Sequence, residues 1–386
     1  MTKIFGWNSF AVLLSCLLDI IYEFIPYIFI IKILATLPDG MLNLSVHEMM
    51  QAAEQAGKTS WGNDFVLDMA VAPFWETADP NYDLIHIHWV EALFDWKEVT
   101  LADIDRLVNR LQQLRQQGKK IVISRHNSIP HRRAEHDALL YHKSFEFADA
   151  VFHMEQFSYD EYQEWYGQHD WAKSQQHFFA PLMIYTQLPN TISKAVARQQ
   201  LQIAPEKTVF MVLGSIRNGA ERQLLETIAS KLNQPSELLY VAQWPFYGQR
   251  LGVKQWRQWQ LQRQYPQHHF EAARPIPDEQ MQVYLNAADV LISPRMDSLN
   301  SGLISLGFSF GLTVLGPATG NMQNVLAQSG NPSYDPQNLK TLDESLQQAK
   351  KLAKIGKGEE NLIFAQREWS WQRVGTLHVA AYKEIV

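Results

Sequence analysis

From residue 82 onward the chain alternates short apolar runs with amphipathic stretches, the pattern of strands and helices taken in turn. Residues 83–90 (Asp-Leu-Ile-His-Ile-His-Trp-Val) read as a strand, and residues 101–117 as a helix with Ile104, Leu107, Val108, Leu111 and Leu114 on one face. A strand at 120–124, a polar loop, a helix near 135–148, a strand at 151–153, a helix at 159–166 and a strand at 178–184 follow. A polar segment at 187–193 interrupts the rhythm, which restarts with a helix at 194–201 and a strand at 208–213. Next come a helix at 221–232, a strand at 238–242, a helix near 253–265, a strand at 269–271 and a helix at 278–287. Residues 289–317 make a strand–loop–helix–strand unit: an apolar run at 289–293, a polar loop at 295–302, a helix stopped by Gly311, and a strand at 312–315. An amphipathic helix at 339–355 and one or two aromatic-rich helices at 361–386 close the chain.

Strands alternating with helices, in two series, imply an α/β fold of two doubly wound, Rossmann-like domains facing a cleft. A chain of 386 residues is also too long for one ordinary core. The expected units are residues 1–190, residues 191–366, and a closing helix at 367–386 that packs back toward the first domain.

The amino terminus breaks the pattern. Residues 10–37 are almost wholly apolar and long enough to span a bilayer, but Asp19 and Glu23 are costly in lipid and Pro26 divides the run. Two readings stand: a segment that contacts or anchors to a membrane, and buried core helices. Lys3 as the lone early positive charge, with no clean small-residue cleavage site, argues against a secretory signal. Residues 1–7 are a candidate first strand.

Composition narrows the function classes. With 46% hydrophobic and 19% charged residues the chain is globular, and a net charge of −6 argues against binding nucleic acid through phosphate contacts. The single cysteine, Cys16, excludes an internal disulfide framework and a multi-cysteine metal site, and fits a reducing compartment.

Candidate chemistry gathers at strand ends. The 208–213 strand runs into Gly214, where backbone can approach a ligand closely; Arg217 and Arg222 follow at a helix start. Guanidinium groups beside helix-start amides suit a pyrophosphate; the plainer alternative is two surface arginines. The 295–302 loop offers Asp297, Asn300, Ser301 and Gly302 beside another helix start. His86 and His88 share one face of their strand, and His88, nearer its carboxyl end, is the better site candidate. Glu91, just beyond, is a candidate general base or else an exposed loop acid. His131, His136 and His142 do not fall on one helical face, and Asp103-Ile-Asp105 lies in an amphipathic helix, so neither group is read as a metal site.

Four stretches together resemble bacterial glycosyltransferases of the GT-B fold, the kind found in exopolysaccharide and capsule assembly. They are Asp83 to Glu91, ending in His-Trp-x-Glu; Ser124 to His131, with His-Asn-x-x-Pro-His; the Arg217/Arg222 pair; and Asp297 to Gly311. The resemblance covers about residues 82–386 and implies a metal-independent sugar transferase that needs no cofactor. Its substrate would be a nucleoside-diphosphate sugar bound by Gly214, Arg217, Arg222, Asp297, Asn300, Ser301 and Gly302. Its acceptor would be a lipid-linked or growing glycan near His88, Glu91 and His126, and it implies that His126 contacts the donor sugar or reaction centre. Such an enzyme works in the cytoplasm, or peripherally on the cytoplasmic face of the inner membrane. Many retaining members carry two glutamates in the last stretch, whose slots here are Ser298 and Leu306, so retaining and inverting transfer both stay open. Two rivals are a nucleotide-sugar epimerase on the same fold and a non-catalytic sugar-binding partner in polysaccharide assembly.

Overall fold

The computed structural model describes residues 31–37, 44–76, 81–130, 134–246 and 252–386. The candidate strand at 1–7 and most of the apolar run, residues 10–30, lie outside the described residues. The tail of that run is neither helix nor anchor. Ile31–Thr36 is strand β1, paired in parallel on both sides, with Ile33, Leu34 and Ala35 fully buried. A strand covered on both faces must be apolar at successive positions, so its pattern cannot be told from that of a buried helix. Among the described residues no helix is long and apolar enough to cross a membrane.

Five further strands complete the first sheet: β2 (Phe65–Met69), β3 (Leu84–Ile87), β4 (Lys120–Ser124), β5 (Ala150–His153) and β6 (Gln176–Phe179). Their order is β2-β1-β3-β4-β5-β6, all parallel. The second sheet holds β7 (Thr208–Val212), β8 (Glu237–Trp244), β9 (His269–Ala272), β10 (Val290–Ile292), β11 (Thr313–Pro317) and β12 (Ser333–Tyr334), in the order β12-β11-β10-β7-β8-β9. The chain is thus two open parallel α/β units. In such sheets ligands sit beyond the strand carboxyl ends where the winding reverses. That point lies between β1 and β3 in the first sheet, and between β7 and β10 in the second.

Two predicted strands end several residues before their expected bounds. The 83–90 strand ends at Ile87, and a tight turn at Val90–Phe94 carries Glu91 inward. The 178–184 strand is Gln176–Phe179; beyond Ala180 the backbone leaves the sheet for the helix Gly302–Ser309. There the Met183 carbonyl accepts from Ser305 Oγ at 2.6 Å, and the Tyr185 amide donates to Ser309 Oγ at 2.9 Å. The helices Leu44–Trp61 and Gly320–Gln328 are additions to the expected set.

The closing helix Trp371–Ile385 lies against Leu44–Trp61 so closely that a Cβ on Gly375 would sit 2.3 Å from the Ala52 carbonyl oxygen. Its inner face brings His378 and Tyr382 under the first sheet, where His378 stacks on Phe152 and Tyr382 Oη bonds His86 Nδ1 at 2.7 Å.

Candidate active site

A cavity of about 650 Å³ opens between the two domains. Asn127, Ser128, Ile129 and Pro130 after β4, with Phe157, Glu161 and Trp165 of the helix Gln156–Tyr166, form one wall. The other wall has Arg217 and Asn218 after β7, Asp297, Ser298 and Leu299 after β10, and Thr319 and Gly320 after β11. Its volume is that of a small-molecule site, and the second wall stands at the β7/β10 winding reversal.

Local sequence builds that second wall. Gly214 has φ 83°, a left-handed turn that other residues adopt only with strain. Asn218 caps the helix Gly219–Lys231, its side-chain oxygen accepting from the Glu221 amide at 2.9 Å. Glu221 is fully buried, and its Oε2 accepts from the Arg217 amide at 2.7 Å and from Arg295 Nη1 at 2.9 Å. The carboxylate therefore pins Arg217 from behind. The Arg217 side chain reaches Ser298 Oγ at 2.9 Å, so the serine in a glutamate slot holds this arginine. Lost hydration between the cleft walls, then the Arg295 charge, lower the Arg217 pKa to about 10, which leaves it cationic at neutral pH.

A second helix start, Gly320–Gln328, faces the same space. Gly320 has φ 57°, and a Cβ there would lie 2.5 Å from the Ser298 carbonyl oxygen, so only glycine lets the β10 and β11 loops meet. A cation and two helix amino termini on one wall make an anion-binding surface.

Not all the sequence candidates reach this cavity. Arg217 and Asp297 line it. Arg222 instead lines a separate pocket with Trp244, Phe246 and Arg257. Asn300 bridges the domains: its Nδ2 donates to the His126 carbonyl at 2.7 Å, and its Oδ1 accepts from Asn321 at 2.7 Å. Asn321 Oδ1 in turn accepts from the Ser158 amide at 2.9 Å. Ser301 shares a hydrogen bond with Ser293 at 3.0 Å. Gly302 lies under Tyr185, whose hydroxyl would be 2.9 Å from an added Cβ. Leu306, in the other glutamate slot, is buried in the core.

The first-domain candidates lie beneath the wall, not on it. Glu91 is 4% exposed, with its carboxylate accepting from Asn127 Nδ2 at 3.2 Å and from Tyr141 Oη at 2.7 Å. Burial pushes its pKa up. His88 Nδ1 and His126 Nε2 share a hydrogen bond at 3.0 Å, and His126 stacks on Trp89 with centroids 4.1 Å apart. His86 links Tyr382 to Ser124 Oγ, 2.8 Å from its Nε2. On the first-domain wall the carboxylate that lines the cavity is Glu161, which the sequence reading passed over. Phe157, Glu161 and Trp165 recur every fourth residue, and that spacing was the available signal. Among the described residues no group of three or more His, Cys, Asp or Glu is placed to hold a metal ion.

The histidines give a prediction about pH. Burial lowers His126 to about 3 and His378 to about 4, and puts His86 and His88 well below their usual range. The folded protein keeps them neutral while the unfolded chain protonates them near 6.5. Their contribution is full above pH 6.5 and falls away as pH drops toward 4, by about 1.4 kcal/mol per pH unit for each group. Glu48, raised to about 7 by burial, and Glu91, raised likewise, work the other way: they favour the fold at low pH and lose this as pH rises. His153 and His177 are lowered as well, and Glu155 is raised; the lowered histidines outnumber the raised carboxyls, so the urea midpoint is expected to fall steadily from pH 6.5 to pH 5. A midpoint unchanged over that range would refute the neutral histidine cluster.

No family model matches the chain, and no curated protein matches it in sequence. Solved structures do match in three dimensions. A sucrose-phosphate synthase from Thermosynechococcus elongatus aligns over 92% of this chain and 98% of its own, with TM-score 0.65 and 16% identity. HepE from Anabaena, in complex with UDP-glucose, aligns over 92% and 100%, with TM-score 0.62 and 13% identity. A glycosyltransferase from Rickettsia africae aligns over 92% and 98%, with TM-score 0.59 and 10% identity. These neighbours are GT-B glycosyltransferases, and the two facing parallel sheets give this chain the GT-B fold.

Proposed function

We propose that the protein is a glycosyltransferase taking its sugar from a nucleoside diphosphate. The observation that carries this reading is the interdomain cavity, with Arg217 and two helix amino termini on one wall. A departing diphosphate gathers negative charge as the glycosidic bond breaks. Fixed dipoles and a guanidinium aimed at that charge stabilise the transition state without reorganising. The neighbour HepE is in complex with UDP-glucose, which supports a donor of the same chemical class.

In this reading the second domain holds the donor and the first presents the acceptor, a growing or lipid-linked glycan. The leaving group's charge is met by protein groups without a metal. The setting is the cytoplasm or the cytoplasmic face of the membrane. Asp297 stands beside Arg217 at the donor wall, and Asn300 ties the walls together through the His126 carbonyl. Crossing the cleft in this way couples donor binding to domain closure, which excludes water from the reaction.

Calorimetric titration with UDP, GDP and ADP, followed by release of nucleoside diphosphate from the corresponding sugars, tests the reading. Micromolar binding of one nucleotide with slow release of that diphosphate is expected. Binding of none overturns the proposal, and isomerisation of the sugar with no release makes the protein an epimerase.

A further inference from the structure

The wall opposite Arg217 is built with equal care, and the donor assignment uses none of it. Phe157, Glu161 and Trp165 lie one turn apart along the helix Gln156–Tyr166, and all three line the cavity. Arg125, 1% exposed, organises them from below: its Nη1 donates to the Ser158 carbonyl at 2.6 Å and its Nη2 to Glu161 Oε2 at 2.5 Å. The same guanidinium lies 5.4 Å from the centre of the Trp165 ring. Ser128 Oγ, in the loop after β4, also donates to Glu161 Oε2, at 2.7 Å. Both donors take Oε2 of a carboxylate that lines the cavity and keeps 19% of its side-chain surface exposed, so neither bond uses Oε1. Trp165 stays 41% exposed on the same wall.

An oriented acceptor oxygen between two aromatic faces has a specific complement. The ligand needs hydroxyl groups on its edge, to donate to the carboxylate, and an apolar C–H face, to pack on the rings. A neutral sugar ring has both. An acyl chain has no donor for Glu161, and a phosphorylated sugar would bring its anion toward a carboxylate.

From this we propose that Phe157, Glu161 and Trp165 form the subsite for the acceptor, a neutral saccharide ring. Glu161 Oε1 accepts from its hydroxyls and Trp165 packs on its C–H face. Arg125 is a positioning residue that holds both. This assignment rests on the transferase reading for the direction of transfer, but the ring-binding claim can be tested by itself.

The probes are methyl glycosides of glucose, galactose, mannose and N-acetylglucosamine, followed by saturation-transfer NMR with the full chain, with and without the nucleotide that binds. At least one glycoside is expected to show transfer concentrated on its ring C–H protons. Trp165→Ala, at an exposed position, is expected to weaken that binding at least tenfold, and Trp165→Phe to recover most of it. Glu161→Gln, which keeps the shape and loses the charge, is expected to cost roughly tenfold. Nucleotide affinity should change less than twofold in all three variants, which also shows that they are folded. If the parent binds nucleotide but no glycoside, or if Trp165→Ala binds glycoside like the parent, the subsite is wrong and the donor reading stands. If glycosides bind through Trp165 and no nucleotide binds, the subsite stands and the transferase reading falls.

Discussion

Replacing Arg217 by alanine is expected to slow release of nucleoside diphosphate from the sugar donor by roughly 100- to 1000-fold, the usual loss for one preorganised charge-stabilising donor. Arg217 is the cation that lines the cavity beside the capped helix Gly219–Lys231, and its backbone is fixed by Glu221 and its side chain by Ser298. Because charge on the departing phosphate is greatest in the transition state, the loss should fall more on kcat than on KM. Arg217→Lys keeps the charge but not the planar pair of donors, so it should recover only part of the rate. The control is Arg222→Ala. Arg222 lines a different pocket, with Trp244 and Phe246, and its removal is expected to change release less than threefold. Single-turnover measurements on the three variants decide the matter, and an Arg217→Ala enzyme as fast as the parent would end the diphosphate assignment.

The second large effect is on stability. Glu221→Ala is expected to destabilise the second domain by about 3–5 kcal/mol, the cost of leaving a buried charge without its partner. The ion pair of Glu221 with Arg295 is 2.9 Å long, with side-chain exposures of only 1% and 6%, so solvent does not screen it. Arg295 has few other partners there; its Nη1 also donates to the Ser215 carbonyl, and its Nε has no hydrogen bond. For a domain of this size the loss corresponds to a fall of about 10 °C in Tm, read by differential scanning calorimetry. Replacing both partners with apolar residues, Glu221→Leu with Arg295→Met, should restore most of the lost stability, because a dry apolar pair carries no desolvation cost. It should not restore diphosphate binding, since the Arg217 amide would still lack its acceptor. A Glu221→Ala protein melting within 2 °C of the parent would show that the pair contributes nothing net.

The alternation of strands and helices from residue 82 was legible because each element has its own period, and the two domains follow from the count. The helix Asp278–Ala287 has the bounds that its periodicity predicts. The place of Arg217 on the cavity wall was legible too, because a cation after a strand-terminating glycine at a helix start is a local arrangement. Glu91 shows the limit. Its place beyond a strand end suggested an accessible base, but burial is decided by what packs over it, and here that is Asn127 and Tyr141, distant in sequence. Ser301 and Asn300 were read as ligand groups for the same reason, and tertiary contacts with Ser293, His126 and Asn321 take them up. Glu161 is the converse case: an ordinary helical acid until Arg125 and Ser128, some thirty-five residues earlier, fix one of its oxygens on the cavity wall.

By itself, then, the amino-acid sequence determined the class of fold, the two-part organisation and the cationic strand end, since these depend on periodicity and near neighbours along the chain. It could not separate a buried strand at Ile31–Thr36 from a helix or an anchor, because an element buried along most of its length reads as largely apolar, here with Lys32 interrupting, whatever its backbone. Which polar side chains face the cavity and which are spent holding its walls was decided only by the tertiary structure. Exposure and hydrogen-bond partnership depend on what distant segments of the chain bring to the same place.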